Sequence, residues 1–155
     1  MKTKPTQKPK PKILIIEDNK YNHKLYRDVF EQAGFEVVLG EDADGFLPEA
    51  VSLVKPDIIS MDLMLGKDGV ATERDGFEAI LKLKGDLRTH EIPIIVLTSF
   101  FEESKVRRAR EVGAVDFISI PGQAIQKIPE HYMRYLNDPK HYKPLHPIFR
   151  EETIS

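Results

Sequence analysis

The 155-residue chain contains no cysteine, which excludes disulfides, thiol nucleophiles and thiolate metal centres. It has no apolar run near the roughly 18 residues that a membrane helix needs. Residues 1–12 lack an apolar core of the signal-peptide kind, so a water-soluble chain in the cytoplasm is expected. The phosphate-cradling patterns G-x-x-x-x-G-K-[ST] and G-x-G-x-x-G do not occur, which argues against nucleotide binding. The loop GKDGVATERDG lacks the alternating acids of a calcium hand. The five histidines (23, 90, 131, 141, 146) form no H-x-x-x-H pair, leaving zinc without a ligand set.

What the chain does have is an uneven charge. Five of its 23 basic residues, Lys2, Lys4, Lys8, Lys10 and Lys12, lie in MKTKPTQKPKPK, which holds no acid; residues 13–155 therefore carry 18 basic against 25 acidic side chains, a net −7 beside the whole-chain −2. Residues 1–11 read as a basic, Pro-rich disordered leader, without the interleaved aromatics of a nucleic-acid arm.

At this length one domain is expected. Five apolar runs, KILIIE (12–17), FEVVL (35–39), DIISM (57–61), IPIIVLTS (92–99) and VDFISI (115–120), alternate with segments of helical character. Runs of Ile and Val without polar alternation suit strands buried on both faces of a parallel sheet. Between the first two runs, NKYNHKLYRDVFEQAG opens on Asn19 as an N-cap, places Leu25, Val29 and Ala33 on one stripe with Tyr21 and Tyr26 beside it, and ends on Gly34. Further helices are predicted near 44–54, 75–84 and 102–112. Pro129 removes an N–H from GQAIQKIPEHYMRYLND, so a short or broken last helix restarting there is expected. Pro139, Pro144 and Pro147 make 138–155 an extended C-terminal tail, with Tyr142, Leu145, Ile148 and Phe149 available to pack on the domain at 12–137.

Five β-α units with right-handed crossovers give an α/β three-layer sandwich, whose sites form at the carboxyl ends of the strands. There the sequence places Glu17 and Asp18 after strand 1, Asp62 after strand 3, Thr98 and Ser99 after strand 4, and Ile120 after strand 5. An acid at such a junction is commonly an N-cap. Three acids from two strands instead raise one another's pKa unless a cation neutralises them, and a hard divalent ion such as Mg²⁺ suits oxygen ligands.

On these residues the chain resembles a receiver domain of two-component response regulators, from about Lys12 to Ile128. The resemblance is carried by the acidic pair in ILIIEDNKYNHKL, by ADGFLPEAV, PDIISMDLML, DGFEAI and IPIIVLTS, and by REVGAVDFIS; the separations of 44 residues from Asp18 to Asp62 and 22 from Thr98 to Ile120 also match. The resemblance implies a doubly wound five-stranded parallel sheet of flavodoxin-like order 2-1-3-4-5. It implies Asp62 as phosphoacceptor from a histidine kinase or phosphotransfer protein. Mg²⁺ would be held by Glu17, Asp18, Asp62 and the Met64 backbone carbonyl. Thr98 would hydrogen-bond a phosphoryl oxygen and Phe117 would be the aromatic switch, although Thr98 could instead cap helix 4 and Phe117 could be plain core. No enzymatic activity beyond self-catalysed phosphoryl transfer and slow autodephosphorylation is implied. Output is expected through a downstream protein at helix 4, strand 5 and the C-terminal segment, with no direct DNA binding and no membrane.

Two departures stand out. The family has Pro four residues after the phosphoacceptor, where this chain has Gly66, and the loop to Asp75 is about six residues longer than usual, as surface loops tolerate. The family's lysine before the strand-5 proline is Ile120, so Lys67 or Arg74 from the long loop are candidate substitute cations, and Pro121 is a candidate for a cis peptide. Loss of that cation leaves a second expectation, a receiver-like interaction module that works without phosphorylation. An aspartate phosphohydrolase would need a second acid at Met64. The basic stretch of helix 4 (Lys105, Arg107, Arg108, Arg110) is either a dock for an acidic partner or a solvated face.

Overall fold

The computed structural model describes residues 9–40, 47–63, 76–99, 102–120 and 122–151. Met64, Lys67, Arg74, the 66–75 loop, Pro121 and most of the basic leader lie outside the described residues.

The five apolar runs form five parallel strands: β1 (Lys12–Ile16), β2 (Glu36–Gly40), β3 (Ile58–Met61), β4 (Ile94–Thr98) and β5 (Asp116–Ser119). Their order is β2-β1-β3-β4-β5, the flavodoxin-like arrangement. Strands β3 and β4 are buried along their whole length. That is why they read as unbroken Ile/Val runs: helices cover both faces of the sheet.

Alternation along each strand divides the core. Leu14, Ile16, Ile59, Met61, Val96 and Phe117 pack with α2 (Leu47–Val54), α3 (Gly76–Lys84) and α4 (Glu103–Val112). Ile13, Ile15, Ile58, Ile95, Leu97 and Ile118 pack with α1 (Lys20–Gln32) and α5 (Ile128–Asn137). On that second side Tyr132 is wholly buried, its ring edge-on to Phe30 at 5.0 Å, and its hydroxyl shares a 2.7 Å hydrogen bond with Ser60 of β3. A buried phenol needs such a partner.

Asn19 caps α1 by accepting from the Tyr21 amide at 3.0 Å, and Gly34 takes the left-handed φ of 100° that ends the helix. The inward face of α1 differs from the predicted stripe. Tyr26 and Phe30 are buried, whereas Leu25 is 44% exposed and Ala33 is also exposed. The aromatic pair at i, i+4 wins because it buries more apolar area than the aliphatic one. A 3₁₀ turn (Ile125–Lys127) leads into α5, and Pro129 sits in its first turn, where no N–H is missed.

The C-terminal segment is neither a simple extended strand nor detached. Two short 3₁₀ turns (Pro139–His141 and Pro147–Arg150) fold it over the edge strand β5. Leu145 packs on the α1/α5 side and Ile148 enters the α2/α3/α4 core, 7% exposed. The segment thereby straddles a sheet edge that would otherwise present unpaired backbone.

Candidate functional site

The parallel ladder continues past the strand ends and fixes the residues there. The Glu17 amide donates to the Gly40 carbonyl at 2.9 Å, the Asp62 amide to Ile16 at 3.1 Å, and the Ile120 amide to Thr98 at 3.0 Å. Glu17, Asp18 and Asp62 are thus brought to one place, each offering a carboxylate oxygen within 4.8 Å of the others'.

Glu17 is only 3% exposed. Burial first, then the charge of Asp62, a hydrogen bond with Asp62 and, least, the charge of Asp18 push its carboxyl up to about 8, against the pull of the Asn19 amide. That amide donates to Glu17 Oε1 at 3.1 Å, and the His23 Nε2–H donates to the Glu17 carbonyl oxygen. Tyr26 is the residue that sequence reasoning left out of the site. Burial holds its phenol well above the usual range, and the charges of Glu17 and Asp62 add to this, so its ring stands within the field of the acids. Its period on α1 was the available signal.

Three carboxylates within reach of one another, one of them buried, are a donor set that fits a hard divalent cation, whose charge would offset the burial and repulsion that favour the neutral form of Glu17. Such an ion supplies charge neutralisation and Lewis acidity toward a phosphoryl oxygen.

Thr98 ends β4 opposite Ser119, 2% exposed. It does not cap α4: that helix starts after Glu102, which makes no side-chain cap bond. Phe117 is 1% exposed and part of the core. Ile120 is half-buried and packs against the α1/α5 core, so an apolar side chain stands at the position where the resemblance calls for an ammonium. Gly76, at the start of α3, lies directly on the Asp62 backbone: a Cβ there would come within 2.4 Å of the Asp62 carbonyl oxygen and 2.9 Å of Leu63 Cα. Only glycine allows that approach, which explains Gly76 as the first residue of the helix.

The family model described as the response regulator receiver domain matches residues 13–129. The chain belongs to the response regulator receiver family. Among similar receiver proteins, the polar-differentiation response regulator DivK of Brucella ovis is 33% identical over 129 residues, covering 81% of this chain and 96% of that protein. The signal receiver domain of a signal transduction histidine kinase from Syntrophus aciditrophicus is 27% identical with a TM-score of 0.65, covering 88% of this chain and 97% of the other. A putative response regulator from Chloroflexus aurantiacus J-10-fl shares the fold with a TM-score of 0.71 at 23% identity, over 84% of this chain and 99% of the other. No helix among the described residues of this receiver is long and apolar enough to cross a membrane.

Proposed function

We propose that this receiver accepts a phosphoryl group on Asp62 from the phosphohistidine of a histidine kinase or phosphotransfer protein, with Mg²⁺ held by Glu17, Asp18 and Asp62. The observation that carries the reading is the convergence of these three carboxylates at the ends of β1 and β3. A carboxylate oxygen of Asp62 attacks phosphorus, the P–N bond breaks, and the imidazole departs with the electron pair. In this reading Thr98, the last residue of β4, donates its hydroxyl to the new acceptor oxygens, whose added charge biases the loops around it. The Met64 carbonyl as a further ligand, and Lys67 or Arg74 as substitute cations, complete the proposal. Output passes to a protein partner over α4, β5 and the C-terminal segment.

A second reading, an interaction module that works without phosphorylation, is favoured by one observation: Ile120 places apolar bulk where a cation would otherwise pair with the phosphoryl group. At about 4 Å and an effective dielectric near 20 that pair is worth roughly 4 kcal/mol before desolvation. Incubation with Mg²⁺ and acetyl phosphate decides between the two. A phosphate adduct is expected on Asp62 by mass spectrometry and is lost in Asp62→Asn; no adduct in protein that still binds Mg²⁺ overturns the first reading.

A further inference from the structure

The C-terminal segment is bound to the body as a ligand is bound to a receptor. Asp116 at the start of β5 is 0% exposed, and its carboxylate accepts four hydrogen bonds. One comes from the neighbouring Phe117 amide at 2.8 Å; the other three come from the Tyr142 hydroxyl, the Leu145 amide at 2.7 Å and the His146 amide at 3.1 Å. A buried carboxylate satisfied chiefly by a segment 26 to 30 residues away is costly without that segment. The basic face of α4 is engaged by the same segment. The Arg110 guanidinium donates to the Ile148 carbonyl at 2.7 Å and to the Glu151 carbonyl, and Arg107 pairs with the Glu151 carboxylate at 3.1 Å. Ile148 fills the apolar gap between these polar anchors, and the His146 ring stands edge-on to Phe117 at 5.9 Å.

We propose that the face formed by Asp116, Phe117, Arg107 and Arg110 is a peptide-binding surface, occupied in cis by the chain's own Tyr142–Glu151. The partner it fits is an extended segment of the same chemistry, offering a phenol and two adjacent backbone amides to the aspartate, an aliphatic side chain to the gap, and a carboxylate to the arginines. Such a partner reaches the surface only by displacing the tethered copy, whose effective concentration, on the order of millimolar for a short link, keeps weak competitors out. Arg107 and Arg110 are thus met first of all by the chain itself, through the Glu151 carboxylate and the Ile148 and Glu151 carbonyls. The proposal deepens the output face proposed above, and it is independent of Asp62 because binding needs no phosphoryl donor.

The test uses a fluorescent synthetic peptide of residues 138–151, DPKHYKPLHPIFRE, titrated by anisotropy into the full chain. Tyr142→Phe combined with Glu151→Gln loosens the tethered segment and leaves the surface intact, so the peptide is expected to bind this variant at least about tenfold tighter than wild type, since each lost charge-assisted hydrogen bond weakens the competitor. Adding Arg110→Ala to the same variant is expected to reverse the gain. Equal affinity for wild type and the loosened variant, or indifference to Arg110→Ala, overturns the proposal. Amide exchange in the unaltered chain keeps the test decisive if the variants fail to fold: Leu145 and His146 are expected to exchange at least about a hundredfold slower than in the free peptide, and exchange at the free-peptide rate overturns it. Because a missing Asp62 adduct and a missing peptide complex are separate results, the two readings fail separately.

Discussion

At the scale of single residues, Glu17 carries the electrostatic conflict of the site. It is buried beside Asp62, and both features favour its neutral form. Its ordinary pKa is 4.5 and its folded value about 8, so between these limits the metal-free folded state binds a proton that the unfolded chain releases. Stability from this group is complete below pH 4.5, falls by up to about 1.4 kcal/mol per pH unit above it, and is gone once pH passes about 8. Denaturant titrations of metal-free protein from pH 5 to 8 are expected to show this decline, and Glu17→Gln to flatten it. A bound divalent cation requires the ionised carboxylate, so Mg²⁺ is expected to bind more tightly toward pH 8 and to release a proton at pH 7, measurable by calorimetry in buffers of different ionisation enthalpy. A profile unchanged by Glu17→Gln would assign the pH dependence to other groups.

At the scale of elements, α3 meets the Asp62 segment backbone to backbone at Gly76, whose amide also donates to the Leu63 carbonyl at 3.3 Å. The Cβ of Gly76→Ala would meet backbone at 2.4 and 2.9 Å rather than the end of a flexible side chain, so α3 or the Asp62 segment must shift. The expected cost is about 1–3 kcal/mol by denaturant unfolding, with a fall in Asp62 adduct larger than the loss of folded protein explains. An adduct yield that tracks the folded fraction alone would reduce Gly76 to a packing role. Strand β5 and helix α4 show the opposite kind of dependence, on a distant segment: Asp116 and Arg110 are completed by residues beyond α5. The α4 basic stretch also divides internally. Arg107 is shared between Glu103 and Glu151, while Arg108 lies 4.7 Å over the Phe77 ring on α3. What reads as one charged face therefore has two structural duties, docking the C-terminal segment and tying α4 to α3.

At the scale of the whole molecule, Tyr132 joins the layer containing α1 and α5 to the centre of the sheet. Its ring meets Phe30 and its hydroxyl meets Ser60 of β3. Tyr132→Ala is expected to cost about 3–5 kcal/mol and Tyr132→Phe about 1 kcal/mol, the latter through the Ser60 hydroxyl left behind. Thermal unfolding followed by circular dichroism checks both, and a Phe variant as unstable as the Ala variant would mean that the hydroxyl pair, not ring packing, holds the layer.

The order of the elements and the convergence of Glu17, Asp18 and Asp62 were legible in the sequence. Strands buried on both faces must be continuous apolar runs, and in a parallel sheet every strand's carboxyl end falls at the same edge. The inward face of α1 was less legible, because two candidate stripes differ by a small rotation and the choice fell to Phe30 and Tyr26 meeting Phe35, Tyr132 and the sheet. The partners of Asp116 were not legible at all. An acid within VDFISI carries no local sign that residues 142–146 will satisfy it, because that bond exists only once α5 has brought the chain back across β5. Local chemistry determined the strands, caps and strand-end acids. The tertiary structure decided what covers β5 and α4, because burying a carboxylate is tolerable only when long-range folding delivers its donors.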